Sequence, residues 1–286
     1  MAATIIDGKK ISQEILAELK LKIKKLKEKP GLAIVLVGDN AASKIYVSSK
    51  EKACKEAGLY CEMHKLADSA TEAELLGIVE KLNQKNSIHG ILVQLPLPKH
   101  INEKLILDSI LPHKDVDGFT PINIGNLACE NTILAPATPR AVMRLLESTG
   151  IQIEGSNAVV VGRSRIVGKP VALMLLEKNA TVTICHSKTK NLEEHTKKAD
   201  ILVAAVGKAE FITKSMVKKG AVVIDVGINR TAGGIKGDVD FENVREIASF
   251  ITPVPKGVGP MTIAMLIDNV IKAMEINRTV NNQKFN

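Results

Sequence analysis

Residues 157–170 read Asn-Ala-Val-Val-Val-Gly-Arg-Ser-Arg-Ile-Val-Gly-Lys-Pro, an apolar run that ends on a glycine and passes into a helix start. Gly162 lets the chain turn sharply at the strand end, and Gly168 permits close packing. Pro170 suits a first helical turn, where its missing N–H has no partner to lose. The free amides and dipole of such a helix start favour an anionic group. Ser164 stands where the usual GxGxxG pattern has its middle glycine, so alone the motif fits a plain structural turn equally well. Its surroundings favour a dinucleotide turn, because strand–helix–strand alternation follows it.

Downstream, Thr181–Cys185, Ile201–Val206, Ala221–Val226 and Ser249–Thr252 read as strands, as do Leu32–Val37, Tyr60–Leu66 and Gly90–Leu95 upstream. The near-continuous Val/Ile/Ala content of the downstream runs is that of parallel strands covered on both faces. Residues 43–57 and 72–85 carry helical patterns, so the chain reads as α/β throughout. Residues 111–140 are rich in Pro, Asn, Asp and Gly with little periodicity and read as a domain hinge. A second break, Thr252–Pro260, precedes a helical stripe over Thr262–Met274 that is expected to return to the first domain.

The end of the second strand of this later part bears on cofactor choice. NAD sites commonly place an acid there, roughly twenty residues past the glycines. This chain has Cys185-His186-Ser187-Lys188 instead, a hydroxyl and cations that suit a 2′-phosphate, and Arg163 would add a guanidinium. NADP is therefore favoured over NAD. The competing reading has His186 and Lys188 decorating an exposed loop.

Composition sets the bounds. The 286 residues are 45% hydrophobic and 24% charged, as in ordinary globular proteins of one large or two medium domains. No apolar run approaches the roughly 20 residues that span a bilayer, and no signal-peptide pattern is present, so a cytoplasmic address is expected. The four cysteines form no CxxC pair and no metal spacing, which predicts reduced thiols and no metal site. The net charge of +8 invites a nucleic-acid reading. Much of the lysine, however, sits in Lys20–Lys29, opposite the stripe Ile11, Ile15, Leu19, Ile23 and Leu26. With two Tyr, five Phe and no Trp, aromatic platforms for single strands are scarce, so no nucleic acid is expected.

Chemistry-bearing residues gather in the first half. Ser43, Tyr46 and Lys50 share one face of a helix, and Ala53, Cys54 and Ala57 continue it. Lys50 thus occupies a core-like stripe, where lost hydration would lower its pKa and allow proton exchange near neutrality. A lone lysine there also reads as a snorkelling side chain. Gln94 ends an apolar strand just before Pro96-Leu97-Pro98, the end at which open α/β sheets bind ligands. Asp117, in Lys114-Asp-Val-Asp-Gly118, fits ordinary turn chemistry or a carboxylate that accepts two N–H bonds from an amino-heterocycle.

Five ordered segments carry a resemblance: Tyr46–Lys50, Val93–Pro98, Lys114–Gly118, Val161–Pro170 and Ile251–Thr262. Together they resemble the bifunctional methylenetetrahydrofolate dehydrogenase/methenyltetrahydrofolate cyclohydrolase family of the bacterial FolD type, over nearly the whole chain. The resemblance implies a homodimer whose protomer has two α/β domains flanking a cleft. One would be a folate-binding catalytic domain of residues 1–135 plus 260–286, the other a Rossmann-like NADP-binding domain of residues 136–259. It implies that Lys50 is the acid/base group of the hydrolytic step and that Gln94 hydrogen-bonds it. Asp117 would grip the pterin and Tyr46 would stack on the aminobenzoate. Gly257, Gly259 and Pro260 would shape the folate pocket, while Gly162, Arg163, Ser164, Ser187, Ile228 and Thr138 would contact NADP. No metal is implied, because the folate nitrogens stabilise the cationic product of hydride loss. Two other readings stand beside this one: a two-domain NADP dehydrogenase of hydroxy or amino acids, and a non-catalytic nucleotide-responsive binding protein.

Overall fold

The computed structural model describes residues 2–283. In chain order the elements are β1 (Thr4–Ile5), α1 (Gly8–Lys24), β2 (Gly31–Val37), α2 (Ala41–Ala57), β3 (Tyr60–Leu66), α3 (Glu72–Gln84) and β4 (Gly90–Val93). They continue as α4 (Glu103–Asp108), α5 (Pro121–Ala128), α6 (Ala137–Glu147), β5 (Asn157–Val161), α7 (Gly168–Glu177), β6 (Thr181–Cys185), α8 (Leu192–Thr196) and β7 (Ile201–Ala204). The last are β8 (Val222–Asp225), β9 (Asn229–Thr231), β10 (Gly234–Lys236), α9 (Phe241–Val244), β11 (Phe250–Ile251) and α10 (Val258–Gln283).

The chain forms two compact units, one of Met1–Gln13 with Thr138–Thr262 and one of Glu14–Ala137 with Ile263–Asn286. By contacts, residues 1–13 pack within the unit of residues 138–262. The reason is backbone pairing: β1 lies parallel to β11, and Ala3, Ile6 and Lys9 donate N–H bonds to Arg245, Ile251 and Lys256. The stretch read as a hinge, residues 111–140, also holds more structure than expected. Thr120 caps α5 by accepting the Asn123 N–H, and Pro121 occupies its first turn.

In the unit containing residues 138–262, the sheet runs β1-β11-β8-β7-β5-β6 with every adjacent pair parallel. Strands β7 and β8 are buried along their whole length. Because β6 and β7 lie on opposite sides of β5, the order reverses there, and the crevice beyond the carboxyl ends of these strands is the expected ligand position.

In the unit containing residues 14–137, a parallel sheet runs β3-β2-β4. All seven residues of β2 are buried, and Val35 and Val93 share the core with Leu75, Val79 and Ile106. On α1, Leu19 and Ile23 are buried while Lys20, Lys22 and Lys24 face solvent. Hydration of those ammonium groups on one face and apolar packing on the other fix the rotation of the helix.

Candidate active site

Helix α2 starts where Asn40 Oδ1 accepts the N–H groups of Ala42 and Ser43, and it ends at Gly58 with φ +94°. Ser43, Val47, Cys54 and Ala57 form its buried face. Tyr46 and Lys50, one turn apart, lie half-buried on its flank. Lys50 does not snorkel into open solvent: its Nζ donates to Gln94 Oε1 at 3.1 Å. Gln94 is itself held at the end of β4, where its backbone N–H donates to Val35 O and its Nε2 donates to Leu95 O at 2.7 Å. With the amide nitrogen engaged by backbone, the amide oxygen is left for the amine. The following Leu95–Pro96 peptide is cis.

The segment 114–118 brings a carboxylate to the same neighbourhood. Lys114 is buried and donates to Leu82 O at 3.0 Å and Lys85 O at 2.9 Å, carbonyls at the end of α3; burial pushes its pKa down to about 8. Asp115, also buried, accepts from Thr120 N at 2.7 Å and Asn123 Nδ2 at 2.9 Å. Asn269 on α10 donates to Val116 O at 2.7 Å and Ala135 O at 2.9 Å. Gly118 turns with φ +69°, and a Cβ there would press on the backbone of Ala135 and Pro136. These contacts fix the residues on both sides of Asp117. Burial raises its pKa, the Lys50 charge pulls it back, and Asp115 pushes it up. Lys50, Gln94 and Asp117 therefore form one electrostatic cluster, with Tyr46 on the same helix.

In the other unit a cavity of about 570 Å³ opens at the ends of β5, β6 and β7. Gly162, Arg163, Ser164 and Ser187 line it, together with His186 and Lys208 and the apolar side chains of Val161, Leu192, Val206 and Phe211. Gly162 has φ +138°, and a Cβ would collide with Ala205 O; a Cβ on Gly168 would collide with Gly162 O. Ser164 acts as a local cap, its Oγ accepting from Val167 N at 3.1 Å and Gly168 N at 3.3 Å. None of the described lining residues is acidic. The set of guanidinium, ammonium and hydroxyl groups beside an apolar wall fits a phosphorylated nucleotide.

The remaining predicted residues lie elsewhere in that unit. Ile228 and Thr138 do not line the cavity. A Cβ on Gly259 would meet Ile228 Cδ1 at 3.8 Å, and the Thr262 hydroxyl donates to Thr138 Oγ1 at 3.2 Å. Gly257 is buried, and Gly259 and Pro260 sit in the first turn of α10. These loop residues belong to a different unit from Tyr46, Lys50, Gln94 and Asp117. Sequence reasoning missed Lys208, Leu192 and Phe211 in the cavity wall. It also missed Asp225, although Asp225 ends an apolar strand, the same signal that singled out Gln94.

Residues 6–117 match the catalytic domain of the tetrahydrofolate dehydrogenase/cyclohydrolase family, and residues 136–278 match its NAD(P)-binding domain. The bifunctional protein FolD of Nitrosospira multiformis is 56% identical over 96% of this chain and 97% of its own length. The crystal structure of the bifunctional FolD enzyme of Campylobacter jejuni superposes with a TM-score of 0.93 at 50% identity, over 96% of this chain and 99% of that one. The Trypanosoma brucei enzyme, solved with NADP cofactor and inhibitor, gives a TM-score of 0.93 at 36% identity, over 98% of this chain and 99% of that one. With both halves of the chain matched and the turn, amine and carboxylate in place, the protein belongs to the tetrahydrofolate dehydrogenase/cyclohydrolase family.

Proposed function

We propose that the protein oxidises 5,10-methylenetetrahydrofolate to the methenyl form with NADP and then hydrolyses that product to 10-formyltetrahydrofolate. The observation that carries the hydrolytic half is the Lys50–Gln94 contact beside Asp117. NADP, when bound, accepts the hydride lost by the methylene carbon. Residues 162–164, 187 and Lys208 would hold its phosphates, and the absence of an acid among the lining residues favours NADP over NAD. Ile228 and Thr138 complete this assignment of cofactor contacts.

Lys50 is the proton carrier of the second half. Water adds to the methenyl carbon, one of its protons is relayed through the Lys50 amine to N5 as the carbon–N5 bond opens, and the other leaves to solvent as the formyl carbonyl forms. Gln94 Oε1 keeps the amine aimed at this water. Asp117 accepts N–H bonds from the pterin, Tyr46 stacks on the aminobenzoate, and Gly257, Gly259 and Pro260 shape the folate pocket. Folate binding is assigned mainly to the catalytic domain and NADP binding to the other.

The same reading makes the protein a cytoplasmic homodimer. The four cysteines are free, as a reducing compartment keeps them, and no helix among the described residues is long and apolar enough to cross a membrane. One edge of β3 has no partner strand among the described residues, a feature that invites pairing with a second copy. The test is nicotinamide absorbance after mixing protein and methylenetetrahydrofolate with NADP or NAD in parallel. NADP-dependent reduction is expected; none with either nucleotide would end the proposal.

A further inference from the structure

The wall of the nucleotide cavity contains an anion-binding arrangement that the protein fills with its own side chain. After β7, the consecutive backbone N–H groups of Val206, Gly207 and Lys208 converge on the carboxylate of Asp238. Val206 and Gly207 donate to Oδ2 at 2.6 and 2.9 Å, and Lys208 donates to Oδ1 at 2.9 Å. Asn229 Nδ2 adds a fourth bond to Oδ1 at 2.8 Å. Successive amides turned to one point form a nest that commonly holds a phosphate. Here Asp238, fully buried, occupies it, and Val206 and Lys208 line the cavity.

A second carboxylate continues the connection. Asp225, at the end of β8, accepts from Gly227 N and Asp238 N on Oδ1 and from Val239 N on Oδ2, each at 2.9 Å. Its own N–H donates to Thr252 Oγ1 at 2.7 Å. The packing leaves no slack: a Cβ on Gly227 would collide with the Asp238 carboxylate, and one on Gly237 with that of Asp225. Two buried acids thus tie the loop after β7 to the turn after β8, which carries Ile228.

We infer that Asp238 is a positioning residue for the nicotinamide cofactor, its carboxylate holding the Val206–Lys208 wall in the shape that receives the nucleotide. The inference rests on the assignment of this cavity to NADP. Loss of the acceptor charge releases three amides that then compete for solvent or for the cofactor's phosphates, so the wall loses its preorganised form. The effect belongs to cofactor binding and not to the Lys50 chemistry, whose residues lie in the other unit.

The test is Asp238→Asn, which keeps the shape of the side chain and halves its accepting capacity. Initial rates over NADP and methylenetetrahydrofolate concentrations give KM and kcat separately, and hydrolysis of supplied methenyltetrahydrofolate is followed without NADP. The expected result is a rise of about tenfold or more in KM for NADP, the loss of one charge-assisted bond, with a smaller change in kcat. An unmoved KM for NADP, or an equal loss in the NADP-free hydrolysis, overturns the inference. Should Asp238→Asn fail to fold, Asn229→Ala removes one donor from the same carboxylate and is read the same way, with a KM rise of about threefold expected. Wild-type turnover with NADP is the control. Its absence defeats the cofactor assignment, whereas wild-type turnover with KM unmoved in the variant defeats the role of Asp238 alone.

Discussion

The Lys50 amine on α2 and the Gln94 carboxamide after β4 meet at 3.1 Å across 44 residues of sequence. Neither partner reaches the other by chance of the loop, because Gln94 is held by backbone on both sides, through Val35 O and Leu95 O. Replacing Lys50 with Met is expected to lower methenyltetrahydrofolate hydrolysis by about 10²- to 10⁴-fold, the range of a lost proton carrier. Gln94→Ala leaves the amine present but unaimed and is expected to cost less than Lys50→Met. Near-normal hydrolysis by Lys50→Met would remove the amine from the mechanism.

Asp117 gives a pH prediction. Burial raises its pKa, so the folded chain keeps a proton over a window in which the unfolded chain has lost it. The associated stabilisation is fully present below the unfolded value and is lost as pH rises through the raised one. The proposed pterin contact needs the ionised form, so KM for the folate is expected to rise as pH falls through that window. In Asp117→Asn the KM should be higher and flat with pH. A wild-type profile as flat as the variant's would contradict the role.

Lys114 offers a stability test away from the chemistry. Lys114→Met leaves two carbonyls of α3 without their buried donor and is expected to cost about 1–3 kcal/mol in urea unfolding. Its pKa is about 8 folded against 10.5 as the ordinary value, so the unfolded chain binds the extra proton between them. Wild-type stability relative to the variant should therefore grow as pH rises from about 8 towards 10, and level off at its lowest value below about 8. A gap that is constant with pH would mean that this amine does not titrate in the folded protein.

The glycine turn separates the two activities. Gly162→Ala forces a Cβ onto Ala205 O at a φ of +138°, and dehydrogenase turnover is expected to fall far more than NADP-free hydrolysis. Arg163→Ala should raise KM for NADP by about tenfold or more while leaving that for NAD nearly unchanged. Equal changes for both nucleotides would detach Arg163 from the 2′-phosphate.

Much of this architecture is legible in the sequence because it rests on local pattern. Strand–helix alternation gave the bounds of β3 and β6 to the residue, and a strand end flagged Gln94. What escaped is what depends on distant backbone. β1 has only two residues and exists because β11 offers it a ladder some 245 residues away. Helix α5 lacks a wide apolar stripe, and only the Thr120-Pro121 pair announces it. Asp238 looks like loop polarity until residues 206–208 are seen donating to it.

Asn269 carries a consequence for how the protein matures. It supplies hydrogen bonds to the peptide oxygens on either side of the loop bearing Asp117, from 153 and 134 residues downstream. A chain leaving the ribosome has already exposed the amine and the amide of the proton-transfer pair long before this donor is translated. The anchoring of the Asp117 loop is thus completed last, and a chain shortened before Asn269 is expected to bind folate more weakly.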